Sequence, residues 1–311
     1  MKKVLLTGIT GFIGSKTARQ ICDDYEITAI IRPNTPLHRY SEFVEKTEIV
    51  FISLSDEESL AKFLDNRIFD YILHLGALRG GRKFDKSEFE KTNINATQLL
   101  MKNAIKNNSK FIFCSSVGVY GAIPLELPAT LSTPYKYDNI YHTTKIECEK
   151  MIKKSIAESK LQACIVRPAI TYGDGDTGFS YTLNKLVFKG IMVLPKERIR
   201  IHLLNINTLV EVFAKLLDNG FINSKIWNVA DKEPTCLQDL VDFISGEEKK
   251  YTTIPKFIFK ILINLFKLVK NELWVSRLEL ISNSWHFDVN DVYKDFNINN
   301  RSTIPHIKKR G

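Results

Sequence analysis

The chain has 311 residues, 44% of them hydrophobic, which is enough for one large domain or two interleaved ones. Its formal net charge of +9 would suit a nucleic acid, an anionic membrane or an anionic small molecule, but the sequence has no basic helix interleaved with aromatic residues. Five scattered cysteines without a C-x-x-C motif argue against a disulfide framework and a zinc site. These cysteines, and the absence of a secretory signal ahead of the first strand, predict a cytoplasmic protein.

The amino terminus has the pattern of a strand, a glycine turn and a helix. Residues 4–6 are a short apolar run, and they lead into Gly8-x-x-Gly11-x-x-Gly14 and a helical pattern. Glycines let backbone N–H groups approach a pyrophosphate, and a helix N-terminus favours its negative charge. The segment therefore predicts a dinucleotide site, with a tight turn that binds nothing as the alternative.

A second strand pattern covers residues 27–31 and ends in Arg32. The usual ribose partner at this position is acidic, whereas a basic residue suits a 2′-phosphate. We therefore expect an NAD(P) cofactor with a preference for NADP. The alternative is that Arg32 is a solvated loop residue.

Strand and helix patterns continue to alternate to about residue 173. Strands are predicted at 48–52, 71–75, 110–114 and 163–166, and helices at 56–64, 88–105 and 141–159. This alternation predicts a doubly wound parallel α/β sheet of the Rossmann type, with ligands beyond the carboxyl ends of its strands. We assign residues 1–172 to a dinucleotide-binding domain, to which 206–231 return. Residues 173–205 and 232–311 would form a smaller, mixed substrate-binding subdomain.

Tyr141 and Lys145 lie one turn apart on one face if their segment is helical. A lysine ammonium near a phenol favours the phenolate, which lets tyrosine transfer a proton nearer neutral pH. Alone, such a pair is more often a solvated helix face. The preceding glycine loop, and the polar residues at successive strand ends, favour a catalytic pair here.

The motifs together resemble the extended short-chain dehydrogenases/reductases of the NAD(P)-dependent epimerase/dehydratase type. The resemblance runs from residue 4 to about residue 230 and is specific for the family but only weakly specific for a substrate. Its matching segments are Thr7-Gly8-x-x-Gly11-Phe12-Ile13-Gly14, His74-Leu75-Gly76-Ala77, Asn93-x-x-Ala96-Thr97, Ser115-Ser116-Val117-Gly118-Val119-Tyr120-Gly121, Tyr141-x-x-x-Lys145-x-x-x-Glu149, Arg167-Pro168, Tyr172-Gly173 and Asn228-Val229.

This resemblance implies roles by position. Ser116 matches the residue that hydrogen-bonds the reacting sugar oxygen, Tyr141 matches the acid/base, and Lys145 would hold the cofactor ribose and tune Tyr141. The implied cofactor contacts are Gly8, Gly11, Phe12, Ile13, Gly14, Arg32, Ser53, Leu54, Leu75, Gly76, Ala77, Tyr141, Lys145 and Pro168. No metal ligand is implied.

Departures from the family pattern narrow the reaction. Ser53 stands where the family usually has an aspartate that contacts adenine, and Gly76 replaces a common alanine. The sugar 4,6-dehydratases of the family carry Asp-Glu directly after the serine or threonine, whereas Val117 and Gly118 follow Ser116 here. Neither side chain can transfer a proton, which argues against dehydration.

Two features of the carboxy-terminal part have more than one interpretation. Arg198 and Arg200 lie where the family often has a basic contact to the substrate diphosphate, although a solvated hairpin would have the same sequence. We interpret the nearby His202 as structural.

Residues 254–269 are apolar apart from a stripe of three lysines and an asparagine. We favour a helix packed on the subdomain or on another subunit over one lying on an anionic membrane.

The leading hypothesis is an NAD(P)-dependent nucleotide-sugar epimerase acting at C4 by transient hydride transfer. An NADPH-dependent keto-sugar reductase is the first alternative, and a hydroxysteroid- or flavonol-type reductase of a hydrophobic alcohol is the second. A non-catalytic dinucleotide sensor is disfavoured because Tyr141 and Lys145 are both present. The expected partner is a small-molecule substrate and not a nucleic acid. Dimers through a four-helix bundle are common in the family, so a homodimer is one arrangement that the resemblance allows.

Overall fold

Gly8, His74 and Ser116 lie at or just after the carboxyl ends of three neighbouring strands in a seven-stranded sheet. The computed structural model describes residues 1–79, 84–246, 251–299 and 301–307. The strands are β1 (Lys2–Thr7), β2 (Tyr25–Ile31), β3 (Thr47–Phe51), β4 (Tyr71–His74), β5 (Lys110–Cys114), β6 (Ala163–Pro168), β7 (Ile170–Tyr172), β8 (Met192–Pro195), β9 (Arg200–Ile201), β10 (Leu203–Asn205), β11 (Ile226–Val229), β12 (Thr235–Cys236) and β13 (Tyr251–Ile254). The helices are α1 (Phe12–Ile21), α2 (Glu57–Asp65), α3 (Lys86–Phe89), α4 (Ala96–Asn107), α5 (Ile140–Ala157), α6 (Phe179–Phe188), α7 (Ile206–Asp218), α8 (Leu237–Ser245), α9 (Lys256–Leu268), α10 (Glu272–Ser282), α11 (Asn290–Phe296) and α12 (Thr303–His306).

The strand order of the sheet is β11-β6-β5-β4-β1-β2-β3, and the pairings from β3 through β6 are parallel. The order reverses at β1, which lies between β2 and β4. In such sheets a ligand binds outside the carboxyl ends of the strands at this switch point. The predicted doubly wound Rossmann sheet is confirmed.

Both faces of the sheet are buried. Leu5, Ile72 and Phe111 belong to a core cluster with side chains from α2, α4 and α5. Val4 and Leu6 point to the opposite face of β1 and are fully buried as well. Strands covered on both faces have continuous apolar runs, which is why the sequence predicted them well.

The helix predicted over residues 88–105 is wrong in its detail. After α3 the backbone forms π-helical turns at Glu90–Asn95, and only then does α4 begin. The buried Asn93 amide accepts a hydrogen bond from Leu78 N (2.8 Å) and donates to Leu78 O (3.1 Å) and to Thr144 Oγ1 (2.9 Å). The π-helical turns are wider than α-helical ones, and they occur where Asn93 makes these contacts to distant parts of the chain. The helical pattern of the sequence gives no indication of such contacts.

The chain divides into two units. The first comprises Met1–Val119, Tyr137–Arg167 and Leu209–Trp227, and the second comprises Tyr120–Lys136, Pro168–Thr208 and Asn228–Gly311. Most of the seven-stranded sheet belongs to the first unit, while the second contains the strand pairs β7–β10, β9–β12 and β8–β13. The assignment of the cofactor to one part of the chain and the substrate to the other stays a prediction.

His202 lies in the core of the second unit. Its Nε2–H donates to Asp231 O, its Nδ1 accepts from Phe287 N at 3.2 Å, and its ring stacks on the Phe287 ring. Burial lowers the pKa of His202 to about 4, although the hydrogen bond to Asp231 acts in the opposite direction. A neutral His202 imidazole can form both hydrogen bonds, one as donor and one as acceptor. This arrangement agrees with a structural role for His202.

Acidification should therefore destabilise the protein through His202. The unfolded histidine takes up a proton near pH 6.5, whereas the folded one stays neutral down to about pH 4. The unfolded state binds more protons in this window, so the free energy of unfolding should decrease as the pH falls, by about 3 kcal/mol in total from this residue. Urea unfolding at pH 7 and pH 5 measures the decrease. The same decrease in His202→Gln would contradict this assignment.

Candidate active site

The glycine loop joins β1 to α1. Gly8 has a left-handed φ of +82°, and Gly11 N donates to Gly8 O at 2.9 Å. Gly11 is also the N-cap of α1, and no described side chain caps it. The first turn of α1 contains no acidic residue, so its N–H groups and the positive end of its dipole are suited to an anion.

Gly8 and Gly14 of this loop have no room for a side chain. A Cβ at Gly14 would lie 2.0 Å from Gly8 O, and a Cβ at Gly8 would lie 2.8 Å from Gly76 N. The backbone of the glycine loop therefore lies close to the start of α1 and to Gly76, two residues after β4. A close-packed glycine loop at a helix N-terminus fits the pyrophosphate of a dinucleotide, because backbone N–H groups can approach the phosphate oxygens there.

His74 ties the ends of β1 and β4 together. Its Nδ1 lies 2.7 Å from Thr7 Oγ1 and its Nε2 lies 3.0 Å from Thr97 Oγ1, while Thr7 Oγ1 also accepts from Gly76 N at 2.9 Å. Burial, together with the smaller effect of the Lys145 charge, lowers the pKa of His74 to about 3. A neutral His74 thus fixes the two strand ends that flank the switch point.

Gly76 is more constrained than the sequence suggested. A Cβ at this position would lie 2.9 Å from Leu54 Cδ1 and 3.0 Å from Thr7 Oγ1. The predicted contact residue Leu54 thus packs beside Gly76, and the common alanine of the family would require Leu54 to move. The neighbouring Ser53 Oγ lies 2.8 Å from Ser55 Oγ.

Two arginines lie near the loop on its β2 side. Arg32 is exposed directly after β2. Arg39 donates through its guanidinium to Thr10 O, a carbonyl within the glycine loop, at 2.8 Å. Arg39 is the last residue of a 3₁₀ turn (Leu37–Arg39) and has no recognisable motif around it, so no sequence pattern indicated this contact.

Tyr141 and Lys145 lie in the first two turns of α5, which begins after the N-cap Asn139. The Lys145 side chain is buried, and its ammonium donates to Cys114 O at 2.6 Å and lies 4.5 Å from the centre of the Phe113 ring. Lys145 therefore connects α5 to the end of β5. The helical spacing predicted from the sequence is present, and the role of the pair in proton transfer stays a prediction.

Ser116 follows β5, and a buried ion pair supports its neighbour Ser115. Ser116 Oγ accepts from Gly118 N at 3.0 Å. Ser115 Oγ donates to Glu149 Oε1 at 2.6 Å, and Glu149 forms a bidentate ion pair with Arg167 at 2.8 and 2.5 Å. The Glu149 and Arg167 side chains are 0% and 1% exposed. The stability of this buried ion pair therefore requires that its polar atoms are hydrogen-bonded within the protein.

His142 is a polar side chain beside Ser116 and was not among the site residues predicted from the sequence. A Cβ at Gly118 would lie 2.4 Å from His142 Nε2 and 3.2 Å from Ser116 Oγ, so both atoms border the same small space. His142 Nδ1 is held by Asp138 and Asn139. The i, i+4 spacing of Asp138 and His142 is the signal that could have revealed this pair.

The predicted substrate contacts lie in the second unit. Arg198 forms two bonds to the Asp239 carboxylate, at 2.6 and 2.5 Å, and its side chain is 66% exposed. Arg200 is exposed, and its backbone N donates to Ser284 Oγ at 3.1 Å. Pro168 is the last residue of β6. A diphosphate role for Arg198 would require it to leave or share Asp239.

The seven-stranded fold and the glycine loop after its first strand are typical of dinucleotide-binding Rossmann proteins. Residues 4–230 match the NAD dependent epimerase/dehydratase family, and the chain belongs to that family. The predictions of the family, of an enzyme and of NAD binding are confirmed. Among the described residues, no helix is long and apolar enough to cross a membrane.

The chain is similar to several named proteins. It is 26% identical to UDP-glucose 4-epimerase of Vibrio cholerae over 280 residues, which cover 85% of this chain and 82% of the relative. It is 24% identical to N-acetyl-alpha-D-glucosaminyl-diphospho-ditrans,octacis-undecaprenol 4-epimerase of Escherichia coli O157:H7, over 76% of this chain and 70% of the relative. The structure of Bordetella bronchiseptica WbmH in complex with NAD+ shares the fold, with a TM-score of 0.77, 18% identity and coverage of 99% and 97%.

Proposed function

We propose that the protein is a nucleotide-sugar 4-epimerase in the cytoplasm. The observation that carries this proposal is the buried Lys145, whose bond to Cys114 O joins the Tyr141 helix to the strand that precedes Ser116. The V. cholerae relative, a UDP-glucose 4-epimerase, supports the substrate class. Val117 and Gly118 offer no group for dehydration, which leaves redox chemistry at a carbinol carbon.

The chain's own residues would supply proton transfer and orientation. Tyr141 would take the proton from the C4 hydroxyl of the sugar and return it after the sugar has turned its other face to the cofactor. Ser116 would hydrogen-bond the same oxygen and hold it in position. When bound, NAD(P) supplies the acceptance and return of hydride at that carbon. His142 borders Ser116, so we assign it a positioning role toward the Ser116 hydroxyl.

Incubation of the purified protein with UDP-linked hexoses tests the proposal. We expect interconversion of C4 epimers without added NAD(P)H, because the hydride returns to the same sugar. We also expect dinucleotide to copurify and to be identified by mass spectrometry. Continuous consumption of NADPH with formation of a reduced sugar would instead establish the keto-sugar reductase.

A second candidate is a 4-epimerase of a sugar diphosphate carried by a polyprenyl lipid. The E. coli relative has such a substrate in its name, and this substrate, like a UDP-sugar, is a hexose derivative joined to a diphosphate. Parallel assays with a UDP-sugar and a polyprenyl-diphosphate sugar distinguish the candidates. The higher kcat/KM identifies the substrate class.

We further propose that Arg32 favours NADP over NAD through a charge-assisted bond to the 2′-phosphate. Arg32→Asp should weaken NADPH binding about 10- to 100-fold and leave NADH binding nearly unchanged, because a bond between charged groups contributes about 1.5–3 kcal/mol. Fluorescence titration with both cofactors measures the effect. Lys62→Asp on α2 is the control for charge alone. Equal weakening of NADPH and NADH would contradict the role of Arg32.

A further inference from the structure

Helix α9 has two apolar stripes. Phe259 and Ile263 form one of them, are 2% and 7% exposed, and pack in a small core with Leu278 of α10. This contact agrees with the favoured sequence interpretation, in which α9 packs within its own subdomain. It accounts for only one side of the helix.

The other stripe is open. Phe257, Ile261, Leu265 and Leu268 are 61%, 53%, 53% and 80% exposed. Their spacing of four, four and three residues places them along one face of α9, and we call them the open stripe. A helix on a protein surface usually presents polar residues on this side, so a row of four large apolar side chains indicates an interaction surface.

The turn between α9 and α10 extends this apolar surface. Val269, Leu273 and Trp274 are 70%, 46% and 44% exposed. The Trp274 ring stacks on Phe266 at 5.7 Å, and the Arg277 guanidinium lies 5.5 Å from the Trp274 ring centre. A tryptophan with an apolar body and a nearby cation is typical of the membrane–water interface.

Lysines predominate among the charged residues of helix α9 and the turn that follows it. Residues 255–271 contain four lysines and no acidic residue. Lys260 and Lys270 are exposed, and Lys267 lies 3.4 Å from Glu279 of α10. A twofold contact between two copies through this stripe would bring like-charged lysine flanks together, which is unfavourable. Anionic lipid headgroups would instead complement these lysines.

We propose that the α9–α10 hairpin docks on an anionic membrane surface. The open stripe would insert between the lipid chains, and Lys260 and Lys270 would contact the phosphate groups. Helix α9 has 13 residues and is therefore about 20 Å long, which is too short to span the hydrocarbon core. The helix would thus lie along the interface.

Vesicle cosedimentation of the full-length protein tests this docking. Vesicles of phosphatidylcholine mixed with an equal amount of phosphatidylglycerol should retain the protein, whereas phosphatidylcholine alone should retain little. Leu265→Glu/Leu268→Glu should lower the partition coefficient at least about tenfold, because it replaces two membrane-buried apolar groups with carboxylates. Ile68→Glu, a change at a position that is 69% exposed in the first unit, should bind as the wild type does.

Other results would overturn the proposal. These are no retention of the wild type on the mixed vesicles, or equal retention of the double variant. Loss of a dimer in the double variant, without wild-type vesicle binding, would identify a second copy as the occupant. Turnover of a soluble nucleotide sugar should be unchanged in the double variant. Failure of membrane docking and failure of the proposed epimerase activity are therefore separate results.

Discussion

Replacement of Tyr141 with phenylalanine is expected to reduce turnover about 100- to 10,000-fold, because it removes the group proposed for proton transfer. The phenylalanine retains the ring, so the start of α5 and the contact of Lys145 with Cys114 should persist. Dinucleotide binding should therefore change by less than about threefold, since the glycine loop is untouched. Single-turnover assays and cofactor titration measure the two quantities separately.

Tyr137→Phe is the matched control for Tyr141→Phe. Tyr137 precedes α5, is 49% exposed, and donates its phenol to Glu147 at 3.3 Å. Loss of this exposed hydroxyl should leave turnover within about twofold of the wild type. Wild-type turnover in Tyr141→Phe would show that another group moves the proton, and His142 would be the first candidate by position.

Replacement of Arg167 with methionine should destabilise the first unit by about 3–5 kcal/mol, because it deprives the buried Glu149 carboxylate of its bidentate partner. Glu149 also accepts from Ser115, next to Ser116, so the remaining folded protein should lose activity too. Urea unfolding at neutral pH measures the stability. Arg167→Met/Glu149→Gln should recover part of the loss, since a neutral amide then replaces the buried carboxylate that has lost its bidentate partner.

Arg198→Met is the control for Arg167→Met. Arg198 also forms a bidentate pair, with Asp239, but the two side chains are 66% and 44% exposed. Solvent screens such a pair, so its loss should cost less than about 1 kcal/mol. Equal effects of the two replacements would show that burial does not determine the contribution of the Glu149–Arg167 pair.

The strand ends were predictable because their signals are local. An apolar run ending in glycine or serine specifies a buried strand and a turn within a few residues, and Gly8 and Ser116 both lie where such runs predicted them. The π-helical turns at Glu90–Asn95 were not predictable in this way. Asn93 contacts residues from two other elements there, and nothing adjacent in the sequence encodes those contacts.

By itself, the sequence determined the glycine turn after the first strand, the alternation of strands and helices along the chain, and the helical spacing of Tyr141 and Lys145. Glycine conformation, apolar runs and helical period are properties of neighbouring residues, which explains this success. Only the tertiary structure decided that Lys145 bonds to Cys114 O and that Arg198 is engaged by Asp239. It also decided which apolar stripe of α9 is covered, because partners that meet from distant segments depend on packing rather than on spacing.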